Sequence, residues 1–125
     1  MISELSSSIR SICLSFPEAR VEPVEGEGHL IFKVRKRTFA YFLVDHHGDG
    51  EIAVSCKVEP GHNLTLAEGD PATYFLPKYL HHRGWVSARV DQRSTDWDEI
   101  EGLIDLSYRL VAPRSLVRQI DEPSK

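Results

Sequence analysis

Apolar residues recur with helical spacing near both ends of the chain. At the N-terminal end, intervals of about three, four and seven residues predict an amphipathic helix that Pro17 terminates. Near the C-terminal end, Asp96 and Glu99 form a capping-box pattern that predicts the start of a second helix, and Pro113 ends it. The two apolar stripes consist of Ile2, Leu5, Ile9, Ile12, Cys13 and Phe16, and of Trp97, Ile100, Leu103, Ile104, Tyr108, Leu110 and Val111.

Between the two helices the pattern changes to the two-residue alternation or the continuous apolar run of strands. Three runs joined by short links predict an antiparallel meander, and two further runs predict a short and a longer strand. The predicted strands are 29–35, 38–45, 51–59, 73–76 and 84–91. Residues 18–28 are interpreted as a solvated connection, 60–72 as a broken link with a single helical turn, and 114–120 as a final helical turn.

Each amphipathic helix needs a surface against which to bury its apolar stripe. The simplest arrangement packs both helices on one face of an antiparallel sheet of about five strands, which predicts an α+β fold. Residues 1–125 then form one domain, with 121–125 as a frayed tail. Because antiparallel sheets tolerate one solvated face, the opposite face of the sheet is expected to be open.

The C-terminal half resembles the MmcQ/YjbR-like family. The resemblance rests on the Leu-Pro-Lys-Tyr string at 76–79, the His-His-Arg-Gly-Trp-Val string at 81–86, and the Ser-Tyr-Arg-Leu-Val string at 107–111, with Phe-Pro-Glu-Ala at 16–19 matching more loosely. It implies a frataxin-like or secretion-chaperone-like α+β domain of bacterial type. It also implies DNA binding, since members of that family are commonly labelled DNA-binding proteins.

Charge is unevenly distributed along the 125 residues, whose formal net charge is −4. Both ends are acidic, whereas the central segment 29–93 carries more basic than acidic side chains. The acidic total argues against a strong general attraction to nucleic acid. The basic centre permits a weak interaction that falls steeply with salt, and ordinary solvated charge is the alternative interpretation.

The predicted open face supplies the candidate binding residues. Alternation places cations around Trp85, with Ser87 and Tyr41 beside it, and the basic loop 78–83 leads into the same tryptophan. Cations contact phosphates, and aromatic rings stack on bases. The alternatives are a solvated outer face whose Trp85 is covered by residues 73–83, and an ordinary surface loop. The candidate nucleic-acid-binding residues are Lys33, Arg35, Lys36, Arg37, Lys57, Lys78, Arg83, Trp85 and Arg89.

The sequence therefore predicts a non-catalytic binding module that uses the sheet face and the 78–85 loop to bind DNA. A protein-interaction or chaperone-like domain that uses the same face for a protein partner is the alternative. The sequence does not determine the oligomeric state.

Catalysis, metal binding and membrane insertion receive little support. No nucleophile-elbow, phosphate-binding-loop or dinucleotide-binding motif occurs, and Cys13 and Cys56 fall on predicted core faces. Neither His46-His47 nor His81-His82 has the spacing of a metal site, so no metal or cofactor is expected. No apolar run reaches the length of a membrane helix, no secretory signal is evident, and a reduced cytoplasmic location is expected.

Overall fold

The computed structural model describes residues 2–24 and 28–122, which form four helices and six strands. The helices are α1 (Ile2–Leu14), α2 (His62–Gly69), α3 (Trp97–Val111) and α4 (Arg114–Asp121). The strands are β1 (Ala19–Pro23), β2 (Leu30–Val34), β3 (Arg37–Val44), β4 (Ile52–Lys57), β5 (Tyr74–Phe75) and β6 (Trp85–Arg89). Short 3-10 turns lie at His46–Gly48 and His81–Arg83.

The strands form one antiparallel sheet in the order β1-β2-β3-β4-β6-β5. The predicted meander of β2, β3 and β4 is confirmed, and the most continuously apolar run, β3, lies in the middle of the sheet. One expectation is wrong: Ala19–Pro23 is the edge strand β1, whereas the sequence was interpreted there as a solvated connection. Its side chains are half-exposed or exposed, so they give little hydrophobic signal.

Helices α1 and α3 pack on the same face of the sheet, as predicted. Alternate residues of the strands face them, so that Phe32, Phe42 and Val54 are fully buried between the layers. Cys13 and Cys56 lie in the same core. Asp96 caps α3 by accepting hydrogen bonds from the backbone N–H groups of Asp98 and Glu99, which confirms the predicted start of this helix.

Two helical segments are longer than the sequence indicates. Residues 60–72 contain α2, a full helix, where a single turn was predicted. At the C-terminal end α4 continues to Asp121, whose carboxylate accepts a hydrogen bond from Arg109, so that the predicted frayed tail cannot begin at residue 121. Residues 123–125 of that tail lie outside the described part of the chain.

One serine of α3 links the helix to two strands at once. The paired register of β3 and β4 ends at Ala40 and Cys56. At the next position the fully buried hydroxyl of Ser107 donates to the Phe39 carbonyl, at 2.6 Å, and accepts from the Lys57 N–H, at 2.8 Å. The hydroxyl thus joins the ends of two strands and fixes α3 against them.

The adjacent Tyr108 fixes α3 to the end of α1. Its hydroxyl donates to the Pro17 carbonyl at 2.8 Å, and its ring stacks on Phe16 with centroids 4.8 Å apart. Phe39 meets the same tyrosine edge-on. These contacts connect the first and last thirds of the chain around the start of β3.

The second face of the sheet is closed over β4 and β6. Residues 76–83, which we name the covering segment, lie across it, and Ala53, Ser55 and Ser87 beneath are almost fully buried. Arg89 anchors the chain that enters this segment, because its guanidinium donates to the carbonyls of Pro71 and Ala72 and forms a bidentate pair with Glu51. The expected open face is therefore wrong for this half of the sheet. Periodicity along a strand cannot reveal a distant loop that folds back over it.

Replacing Ser107 by alanine is expected to lower the free energy of unfolding by about 2 kcal/mol, because a buried carbonyl and a buried N–H lose their partner. Urea denaturation measures the change. Ser115→Ala, at an exposed position of α4, is the control and should change stability by less than about 0.5 kcal/mol. Equal effects of the two substitutions would show that the hydroxyl is not a structural link.

The Glu51–Arg89 pair makes stability depend on pH. The hydrogen bond from Arg89 lowers the pKa of Glu51 below its ordinary value, so the ionised carboxylate favours the folded state. This contribution is present above the unfolded pKa and is lost as the pH falls through the folded pKa. We expect Glu51→Gln to destabilise the protein near pH 7, and the difference from wild type to shrink below about pH 4.

Thermal denaturation at several pH values tests this expectation. Glu68→Gln, at an exposed position of α2 without an ion pair among the described residues, controls for the removal of one carboxylate. A difference between wild type and Glu51→Gln that stays the same from neutral to acidic pH would contradict the assignment.

Candidate nucleic-acid interface

Three of the nine predicted binding residues already have acidic partners. Arg89 lies 2.7 Å from Glu51, Arg35 lies 2.6 Å from Glu18, and Lys33 lies 3.2 Å from Glu22. The Arg35 hydrogen bond lowers the pKa of Glu18, so that carboxylate remains charged beside the guanidinium. These three cations therefore add little net positive charge to the surface.

Trp85 has a different role from the predicted one. Its side chain is only 6% exposed and packs against Tyr41, with ring centroids 5.4 Å apart. Leu80 of the covering segment lines the same site. The alternative in which residues 73–83 cover the tryptophan is confirmed, so its indole is an anchor for packing and is not available to stack on a base.

Three other predicted cations converge at one end of the sheet. Arg37 begins β3, Lys57 ends β4 and Arg83 immediately precedes Gly84 and β6, and all three line one cleft of about 300 Å³. Tyr41, Trp85 and Leu80 form much of its wall, and Thr38 and Val111 complete it. We call this site the cationic cleft.

Among the described residues, no acidic side chain balances the positive charge of the cleft. No aspartate or glutamate lines it, and within residues 2–24 and 28–122 none of Arg37, Lys57 and Arg83 forms an ion pair. Arg37 and Arg83 are exposed and Lys57 is half-exposed. In a chain of net charge −4, these three cations make the cleft locally electropositive.

The backbone explains why these side chains meet. Where Ser107 stands between the Phe39 carbonyl and the Lys57 N–H, the regular pairing of β3 with β4 stops. The cleft lies at this end of the two strands, with Arg37 on one side and Lys57 on the other. Ser107 therefore fixes the position of Lys57, although it binds only the lysine backbone.

Gly84 places the third cation. It has φ +85°, and a Cβ at this position would lie 3.3 Å from the Val58 carbonyl oxygen. Its own carbonyl accepts a hydrogen bond from the Val58 N–H at 2.9 Å. A glycine therefore lets the 81–83 turn approach the end of β4 closely, which brings Arg83 next to Lys57.

A second depression, of about 620 Å³, adjoins the cleft through Lys57 and Arg83. His81 and His82 line it, with ring centroids 4.0 Å apart, and no carboxylate from the described part of the chain does so. Asn63 of α2 holds this region together by donating to the carbonyls of His81 and Trp85. No sequence pattern indicates this role of Asn63, because its partners are backbone atoms of segments distant in the chain.

The two remaining predicted cations lie outside the cleft. Lys36 is exposed in the β2–β3 turn, and Lys78 lines a separate cavity between the covering segment and the sheet. The structure thus brings Arg37, Lys57 and Arg83 together with Trp85 and distributes the other five around the molecule. The nine residues do not form the single cationic face that alternation indicates.

Other sites offer no clear chemistry. Burial raises the pKa values of the Cys13 and Cys56 thiols, which keeps both protonated and unreactive. Among the described residues, no group of three or more His, Cys, Asp or Glu side chains is placed to hold a metal ion. In the turn between β3 and β4, the Asp45 carboxylate accepts a hydrogen bond from the Gly50 N–H and the Asp49 carboxylate accepts one from the Glu51 N–H, as in a polar turn. No helix in the described part of the chain is long and apolar enough to cross a membrane.

Comparison with known proteins agrees with the observed fold. The crystal structure of the Deinococcus radiodurans protein DR2400, which carries a DUF419 domain, superposes with a TM-score of 0.68 at 24% sequence identity, covering 84% of this chain and 76% of that one. This likeness concerns the fold alone. Among curated proteins, none matches the chain.

The model of the YjbR family matches residues 14–110. This range runs from the last residue of α1 to near the end of α3, and it includes every residue that lines the cationic cleft except Val111. The chain therefore belongs to the YjbR family.

Proposed function

We propose that this protein is a non-catalytic DNA-binding module whose cationic cleft contacts the phosphate backbone. The observation that carries the proposal is the convergence of Arg37, Lys57 and Arg83 in a cleft that no carboxylate of the described residues lines. Guanidinium and ammonium groups at such a site attract phosphate oxygens, and the two arginines can bind them bidentately.

The cleft favours contacts with phosphates over readout of bases. Trp85 is buried against Tyr41, so its indole is not available as a stacking platform, and Tyr41 itself is half-buried. Phosphate contacts position a protein on DNA without distinguishing its sequence. Binding is therefore expected to be weak, sensitive to salt and largely independent of sequence.

The depression beside the cleft extends the same surface. Because His81 and His82 lie next to Lys57 and Arg83, a bound strand that leaves the cleft in this direction meets imidazole groups and, within the described residues, no carboxylate.

The protein-docking alternative predicts a different behaviour. It needs an accessible apolar sheet face, whereas the covering segment occupies that face over β4 and β6. Binding to a protein through the aromatic wall of the cleft would depend on Tyr41 and tolerate salt. DNA binding depends on the three cations and does not tolerate salt.

We expect the affinity for a fluorescein-labelled duplex to fall roughly twenty- to fortyfold between about 50 and about 200 mM salt, since about three phosphates are neutralised. Fluorescence anisotropy measures the dissociation constants. Each of Arg37→Ala, Lys57→Ala and Arg83→Ala should weaken binding and reduce the salt slope by about one unit, and the triple variant should abolish binding.

Arg93→Ala is the matched control. It removes the same charge as Arg37→Ala from an exposed position beyond the opposite end of β6, and it should leave affinity and slope unchanged. Circular dichroism confirms that each variant is folded. Absence of binding at low salt would overturn the proposal, as would a loss in Arg93→Ala equal to that in the cleft variants.

A further inference from the structure

A cavity of about 380 Å³ lies between the second face of the sheet and the covering segment. This volume is many times that of a water molecule and falls within the range of small-molecule sites. It is separate from the cationic cleft, although Leu80 lines both. Nothing in the proposed contacts with DNA uses it.

The cavity exists because the sheet presents small side chains at this point. Ala53 of β4 and Ser87 of β6 form the floor of the cavity. Two residues earlier on β6, the large side chain of Trp85 packs with Tyr41 and fills the corresponding space beneath the covering segment. The apolar part of the wall comes from β3, β5 and the covering segment, and His46 adds an imidazole to the lining. The apolar residues include Leu43, Phe75, Leu76, Pro77 and Leu80.

The floor also offers one unused hydrogen-bond donor. Ser87 is 1% exposed, and its only side-chain partner in the described part of the chain is Ser55, with the two Oγ atoms 2.7 Å apart. Two hydroxyls carry two protons, and the bond between them uses one. When Ser55 donates to Ser87, the Ser87 proton has no protein acceptor and is free to point into the cavity.

The charges around the cavity cancel. Arg89 and Glu51 form a bidentate pair at one edge of the cavity. The guanidinium also donates hydrogen bonds to the carbonyls of Pro71 and Ala72. Lys78 and Asp49 add one charge of each sign. The formal charges of the side chains that line the cavity therefore sum to zero.

We propose that this cavity binds a small uncharged molecule with an apolar, aromatic or branched body and one carbonyl oxygen, which accepts a hydrogen bond from Ser87. The apolar body is buried against the leucines and Phe75, and the carbonyl oxygen satisfies the remaining serine proton. The ligand enters beneath the covering segment. This inference does not depend on DNA binding.

Two probes of nearly the same shape separate burial from hydrogen bonding. Acetophenone has a carbonyl oxygen where 2-phenylpropene has a methylene group. Each is titrated into the ¹⁵N-labelled full chain, and amide chemical shifts in ¹H–¹⁵N spectra give the dissociation constants. Both probes should cause saturable shifts at Ala53, Phe75 and Ser87, which line the cavity.

Two serine variants form a matched pair. Ser87→Ala removes the donor that faces the cavity, whereas Ser55→Ala removes its buried neighbour and leaves the Ser87 hydroxyl in place. The dissociation constant of acetophenone should be about fivefold higher in Ser87→Ala than in Ser55→Ala, the equivalent of one neutral hydrogen bond. The dissociation constant of 2-phenylpropene should be the same in both.

A third variant fills the cavity. Ala53→Leu should abolish the saturable shifts of both probes, and Ala53→Val serves where the leucine variant does not fold. Shifts that persist when the cavity is filled, absence of saturable shifts in wild type, or equal acetophenone affinity in the two serine variants would each overturn the proposal. DNA binding is measured separately, so its failure and the failure of this proposal are distinguishable.

Discussion

The hydroxyl of Ser107 is the interaction on which the arrangement of the molecule depends. It donates to β3 and accepts from β4 at the point where these strands stop pairing, and it belongs to the helix that covers them. A backbone carbonyl and a backbone N–H are thereby satisfied inside the core, where leaving them unpaired is costly. The next residue, Tyr108, fastens the same helix to the end of α1. Two adjacent side chains thus connect both helices and the central strands.

This constraint also explains the candidate site. Because β3 and β4 are held by a side chain at one end, the cleft forms there with Arg37, Lys57 and Arg83 around it. The Ser-Tyr-Arg-Leu-Val string that resembles the family pattern contributes Ser107 and Tyr108 to the packing and Val111 to the cleft wall. In this chain the motif supports the site, and the positive charges come from other elements.

The sizes of the side chains on the second face of the sheet determine where the cationic cleft and the cavity form. Large rings at Tyr41 and Trp85 fill one half, so that the cleft beside them is shallow and charged. Small side chains at Ala53 and Ser87 leave the other half hollow and apolar. The covering segment contributes to both, and Arg89 fastens the chain that leads into it. The Arg89 guanidinium is paired with Glu51 and donates to two backbone carbonyls. It therefore adds no positive charge to the cationic cleft.

The sequence by itself determined the α+β class, the two amphipathic helices, the cap at Asp96 and the central meander, because each of these depends on local periodicity and local hydrogen bonding. It also determined which side chains carry positive charge. Only the tertiary structure decided which of them act together: Arg37, Lys57 and Arg83 meet through strand ends and a turn, whereas Arg35 and Arg89 find acidic partners far away in the chain. The sequence did not predict edge strand β1, and it left the covering of Trp85 by residues 73–83 as one of two interpretations, since pairing and burial by distant segments leave no periodic signal in the residues themselves.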